Sequence, residues 1–156
     1  MKAHILLEDG TVLTGKAFGD MKTVLGEIVF NTSMTGYQET LTDPSYAGQI
    51  VVMTYPLIGN YGINEKDVES DKVQVNGFVV KENAKFESNW MSQGNLSDYL
   101  KAQGVFAISG IDTRMLTKKI RNQGTMKCML TTDEVTEDLW EKLKHYSFPT
   151  NTVEKV

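Results

Sequence analysis

The sequence predicts an α/β domain with a mixed sheet, and three observations predict it. Apolar, β-branched runs broken by glycine turns fill the first third. Amphipathic stretches that stop at glycine fill the second half, and short strand-like runs separate them. A chain of 156 residues with 40% hydrophobic and 23% charged residues is long enough for one core and too short for two comfortable ones.

The opening reads as strands: residues 4–8, the turn signal Asp9-Gly10, then 12–18 and 24–31, an antiparallel start built of hairpins. Tyr37 to Leu41 reads as a short helical turn ended by Asp43-Pro44, because the residue before a proline is pushed out of the helical region. Residues 50–55, stopping at Pro56, and 73–80, interrupted by Asn76-Gly77, are two further strands. Between them, Asn60 to Lys72 is polar and glycine-containing, an exposed excursion.

Helices are expected over residues 96–103, ending at Gly104, and 112–123, ending at Gly124. Asp112 is a good N-cap, since its carboxylate can accept the free amide hydrogens of the first turn, and Lys118, Lys119 and Arg121 suit the negative end of the helix. A third helix over about 136–146 puts Val135, Leu139, Leu143 and Tyr146 on one stripe, as core packing requires. Residues 105–108 and 127–131 are the intervening strands. The simplest arrangement lays the helices over one sheet.

Sixteen basic against twenty acidic residues give a formal charge of −4, with the charges interspersed, so no nucleic-acid partner is expected. Apolar runs such as residues 49–53 fall far below the roughly 18 to 20 residues that cross a bilayer, so no membrane is expected either. The start of the chain has too short an apolar stretch for a signal peptide, and a single cysteine allows no internal disulfide; both fit the cytoplasm.

The chemistry inventory is short. His4 and His145 stand near opposite ends of the sequence, in no zinc-like spacing. Cys128 lies in the apolar run Met126-Lys-Cys-Met-Leu130, where a small buried residue is the common outcome. There is no G-x-S-x-G elbow, no Walker loop and no G-x-G-x-x-G after a strand. On residues alone the chain looks catalytically silent.

Residues 30–62 carry the signal, being rich in hydroxyls, glycines and aromatics. Asp43-Pro44-Ser45-Tyr46 has type I turn chemistry, so Ser45 projects from a rigid corner, either to meet a ligand or facing domain or only to complete the turn. Gly36, Gly59 and Gly62 are backbone candidates for positive dihedrals or close approach.

Phe30 to Gln38, Leu41 to Tyr46, Gly48-Gln-Ile-Val51, Thr54-Tyr-Pro56, Ile58-Gly-Asn-Tyr-Gly62 and Asn64 resemble the amino-terminal half of the small subunit of glutamine-hydrolysing carbamoyl-phosphate synthase. Leu7-Glu-Asp-Gly-Thr11, Gly15, Gly26-Glu27, Ser88-Asn-Trp90, Gly110-Ile-Asp-Thr-Arg114, Leu116-Thr117 and Ile120-Arg121 resemble the same family in the same order. Such a resemblance implies a layered β/β/α domain of the swivelling type over residues 1–148. Residues 149–156 would begin the linker to a class I glutamine amidotransferase domain with a cysteine, histidine and glutamate triad. That domain would pass ammonia to a large subunit, where ATP and metal are expected and no cofactor is needed in this chain. The product, carbamoyl phosphate, feeds arginine and pyrimidine synthesis.

By the same resemblance Ser45 matches the family's one glutamine-contacting position in this half. No glycine-flanked cysteine is present, so Cys128 is not the amidotransferase nucleophile and this chain alone is not catalytic. Met91 stands where the family commonly has a basic residue, which puts a local charge contact in doubt. Arg114 is open to pairing across a subunit interface, to pairing with nearby carboxylates, or to solvent. Two other classes compete with an interface domain: a free-standing binding module of the same fold, and a thiol enzyme built on Cys128.

Overall fold

The computed structural model describes residues 1–32, 41–54, 73–81, 100–124 and 126–146. Among them, seven strands are present: β1 (Lys2–Leu7), β2 (Val12–Gly19), β3 (Val24–Asn31), β4 (Gln49–Met53), β5 (Gly77–Val79), β6 (Phe106–Ser109) and β7 (Met126–Thr131). Two helices accompany them, α1 (Thr113–Gln123) and α2 (Glu137–His145), with one 3-10 turn at Pro44–Tyr46.

The α/β class and the mixed sheet are as expected. The single layer with helices above it is not, because the strands close into a barrel in the order β1-β2-β6-β5-β4-β3-β7. Closure depends on β7, which pairs antiparallel with β1 through Ile5↔Leu130 and with β3 through Gly26↔Cys128. The opening hairpin β1–β2 forms through Ile5↔Leu13, with Gly10 at φ 95° supplying the turn. β3 does not extend it; it lies parallel to β4, and β4, β5 and β6 continue parallel. The described strands therefore form one closed mixed sheet with helices packed against it.

Period-2 alternation sorts the side chains. Ala3, Ile5 and Leu7 of β1, Ile50 and Val52 of β4, Phe106 and Ile108 of β6, and Cys128 and Leu130 of β7 share one fully buried cluster. These strands are not all neighbours in the sheet, so the shared cluster is the barrel interior. Leu116 and Ile120 of α1 join it. The opposite faces of β4, β5 and β6 present Val51, Met53, Phe78 and Ala107 to a second cluster outside the barrel, with Leu41, Val73, Val75, Leu100 and Val105. Leu6 and Met129 pack against Leu139 and Leu143 of α2 in a third, with Val135 alongside, as three members of the helical stripe predict; the fourth, Tyr146, is the C-cap of α2 and is not part of that cluster.

The helix ends follow their local chemistry. Asp112 accepts from the Met115 amide at 3.1 Å, and Gly124, at φ 75°, donates to Ile120 O at 2.8 Å. The earlier helix is described only over its last residues. There Gly104 donates to Lys101 O and Val105 donates to Leu100 O, the paired bonds of a Schellman end with Gly104 at φ 71°. Asp9, in the hairpin turn, accepts from Lys119 Nζ at 3.0 Å and Gln123 Nε2 at 3.2 Å, which ties α1 to the β1–β2 turn. Burial raises the Asp9 carboxyl, but hydrogen bonds from Thr11 together with Lys119 outweigh that and hold it below its ordinary value.

One strand is shorter than its composition suggests. Of residues 73–80 only Gly77–Val79 pair as strand. The Gln74 amide turns to Leu41 O and the Asn76 amide to Gln49 O, while the Asn76 side chain donates to Leu25 O and Gly48 O. Val73 and Val75 are buried in the outer cluster as a non-strand segment, so the alternation reports burial there and not a ladder. The excursion at 60–72, most of the turn at 37–41, Gly36, Gly59, Gly62, Ser88-Asn-Trp90, Met91 and residues 149–156 lie outside the described residues.

Candidate functional site

Ser45 sits where its turn chemistry places it. Asp43 Oδ1 accepts from the Ser45 amide at 3.0 Å, the Tyr46 amide donates to Asp43 O at 3.0 Å, and Pro44 fixes the first residue of the turn. The Tyr46 hydroxyl accepts from Asn31 Nδ2 at 2.9 Å, anchoring the corner to the end of β3. Ser45 is exposed, and its hydroxyl has no partner among the described residues. The corner is thus held by everything except the Ser45 side chain, which is left to point outward.

A second feature was not legible from any one segment. The parallel strands β3, β4, β5 and β6 run out at the same end, and a cavity of about 1050 Å³ opens there. Thr32, Thr54, Lys81 and Gly110, which follow those four strands, line it with Arg114, Thr117, Lys118 and Arg121 of α1. Lys118 and Arg121, whose charges the sequence suggests for the helix end, face this cavity along with Arg114 at spacings of four and three, one stripe of a helix. Lys119, between them, turns away to Asp9. Ser45 does not line this cavity.

The remaining candidates do not gather. His4 Nδ1 lies 2.9 Å from Thr14 Oγ1 across the hairpin, and His145 Nε2 lies 3.2 Å from Glu141 on α2. Cys128 is fully buried in the barrel interior, and burial pushes its thiol far above the ordinary range, so the thiolate a nucleophile needs is suppressed. The thiol-enzyme reading loses its reagent. In native protein, labelling of Cys128 by Ellman's reagent is expected to run about three orders of magnitude slower than in urea, since it must await opening of the core. Fast stoichiometric labelling without denaturant would contradict the buried placement.

No group of three or more His, Cys, Asp or Glu side chains suited to a metal occurs among the described residues, and no described helix is long and apolar enough to cross a membrane.

The fold and site define a closed mixed-sheet α/β domain that presents an outward serine corner and a basic cavity. Its shape is shared with an aminopeptidase from Aneurinibacillus sp. strain AM-1, at a TM-score of 0.50 and 9% identity over 83% of this chain and 30% of that one, a likeness of fold alone. The family model described as carbamoyl-phosphate synthase small chain, CPSase domain, matches residues 5–130, and the chain belongs to that family. The carbamoyl phosphate synthase small chain of Clostridium perfringens is 54% identical over 148 residues, 94% of this chain and 42% of that one. Those of Archaeoglobus fulgidus and Streptococcus mutans are 61% identical over 135 residues and 53% identical over 156, covering 86% and 99% of this chain. The chain spans about two fifths of the length of these relatives, 38% and 43% in the last two.

Proposed function

We propose that residues 1–148 act as the amino-terminal domain of a carbamoyl phosphate synthase small chain, docking on the large synthetase subunit and lending Ser45 to the glutamine site. Residues 149–156 lead in this reading toward a class I glutamine amidotransferase domain, which hydrolyses glutamine and releases ammonia. The large subunit, with its ATP and metal, consumes that ammonia to make carbamoyl phosphate for arginine and pyrimidine synthesis in the cytoplasm. The observation that carries the reading is the Ser45 corner: in a chain of this family, a hydroxyl stands ready on a turn braced by Asp43, Pro44 and the Asn31–Tyr46 bond.

A serine hydroxyl can accept from the substrate's ammonium or amide and donate to its carboxylate, orienting the molecule without taking part in bond breaking. Removal of such a contact costs about 0.5–1.5 kcal/mol. Ser45→Ala in the complete enzyme is therefore expected to raise the KM for glutamine roughly two- to tenfold, while ammonia-dependent synthesis and the melting temperature stay as in wild type. Unchanged glutamine kinetics would return Ser45 to a plain turn role. Docking is tested separately: co-elution of the chain with the cognate large subunit at micromolar concentration is expected, and its absence would count against the interface reading.

A further inference from the structure

The cavity at the ends of β3 to β6 has no part in the reading above, and its chemistry is specific. We propose that it binds the phosphate group of a small phosphorylated molecule through Arg114, Lys118, Arg121 and Lys81.

Charge is the first argument. The chain is acidic overall, at −4, yet this one cavity gathers four cationic side chains. Among the described residues none of the four has a carboxylate partner, whereas Lys22 and Lys119 elsewhere on the surface do. Among the described lining residues the one carboxylate, Asp112, is engaged with the Met115 amide. Four like charges around one concavity repel each other in the empty state, and an anion is what relieves that.

Geometry is the second. Arg114, Lys118 and Arg121 form a single stripe on α1, and Lys81 enters from a different element, the exit of β5, so the cations converge from two sides. Val80 donates to Ile108 O at 2.9 Å, which fixes that exit against β6. Arg121 lies with its guanidinium carbon over the Phe30 ring, 5.6 Å from the centroid, a cation–π contact that helps hold the group beside the cavity. Guanidinium forks suit paired phosphate oxygens, and lysine ammonium groups complete the charge.

Thr117 is the third. It lines the cavity between Arg114 and Lys118 and is only 7% exposed, and its Oγ1 is the sole buried side-chain polar atom without a hydrogen-bond partner among the described residues. An unsatisfied buried hydroxyl is costly and calls for a reason. A threonine on a helix has two accessible χ1 positions, and rotation between them brings the hydroxyl to an occupant of the cavity.

A dianionic phosphate matches this donor set better than a single carboxylate, which would leave most of the charge unpaired. The volume leaves room for an organic body beside the phosphate. The ends of parallel strands, followed by a helix, are also where α/β folds commonly hold such ligands.

The test titrates the full chain with inorganic pyrophosphate at constant ionic strength, by calorimetry and by thermal melting. Saturable binding is expected, with a rise in melting temperature of about 3–6 °C at ten times Kd. Lys118→Glu and Arg114→Ala should each abolish or weaken it at least tenfold, while Lys101→Glu, on an exposed lysine outside the cavity, leaves it unchanged. Thr117→Val, which removes the orphaned hydroxyl without loss of volume, should fold as well as wild type and still weaken binding. No saturable heat, or an equal loss in Lys101→Glu and Lys118→Glu, would overturn the proposal. So would binding of a poly-glutamate peptide with no response to pyrophosphate, which would assign the cavity to an acidic protein partner instead.

Discussion

Phe106→Ala is expected to cost about 3–5 kcal/mol of stability and to lower the melting temperature by about 6–20 °C. Phe106 is fully buried and is among the largest of the sealed side chains in the barrel. Its two ladder neighbours are both glycines, Gly19 on β2 and Gly77 on β5. Gly77 faces the same interior, toward Leu130 and Ile50, and has no side chain to move into the place of the ring, while Gly19 faces outward to Leu100 and cannot fill it either. A core relaxes around a deletion only as far as its neighbours can shift, which puts this substitution toward the upper end of the range. Against a total stability of about 5–15 kcal/mol, about a fifth or more would be gone. Urea unfolding with an unchanged m-value would measure it. A loss under about 1 kcal/mol would mean that Phe106 does not fill the interior as described.

Gly15→Ala is the second large effect, and its origin is the reverse. A methyl group at Gly15 would collide with the Ser109 carbonyl oxygen and stand 2.8 Å from Ile108 Cγ2 and 2.9 Å from Ile111 Cδ1. The flexible side chains can yield, but the carbonyl cannot, because the adjacent Lys16↔Ser109 pair fixes β6 to β2. Relief must come from spreading the two strands, at a cost of about 3 kcal/mol. Gly48→Ala meets nothing within 4 Å, so only its positive φ of 78° penalises the change and about 1 kcal/mol is expected. Hydrogen exchange distinguishes them: in Gly15→Ala the β2 and β6 amides should lose protection before those of β1 and β7. Equal, uniform losses in both variants would refute the steric account.

What the sequence reveals about this fold divides by distance along the chain. α1 was legible to the residue, since Asp112, the apolar Leu116 and Ile120, and Gly124 follow one another at intervals of four and each acts on groups no farther away than that. The bounds of β3 were likewise legible from its own alternation and the turn residues before it. The partner of β3 was not, because Gly26 and Cys128 carry no mark of each other; only barrel closure brings them together. Residues 73–76 misled for a related reason, since valine alternation reports which side is buried and not whether the backbone has a neighbour to pair with.

The site follows the same rule. The turn that carries Ser45 was legible because a turn is a local object; the glutamine contact itself is implied by the family resemblance alone. The basic cavity was not, because Lys81 and Thr54 reach it from strands remote in sequence. The spacing of Arg114, Lys118 and Arg121 was a signal within reach, but helix-end electrostatics accounted for part of it equally well.

Closure by β7 also sets the timetable of synthesis. Of these seven strands β1 emerges from the ribosome before the others, and its second edge stays unpaired until residues 126–131 have been made. At roughly 5–20 residues per second, that wait is on the order of ten seconds. Through it the nascent chain carries a bare hydrophobic strand edge that β2 can cover on one side only. The barrel therefore cannot assemble strand by strand as translation proceeds; it snaps shut late, in a step dominated by contacts between the two ends of the domain. A premature stop before Met126 would release a sheet with both seam edges, β1 and β3, open to other chains.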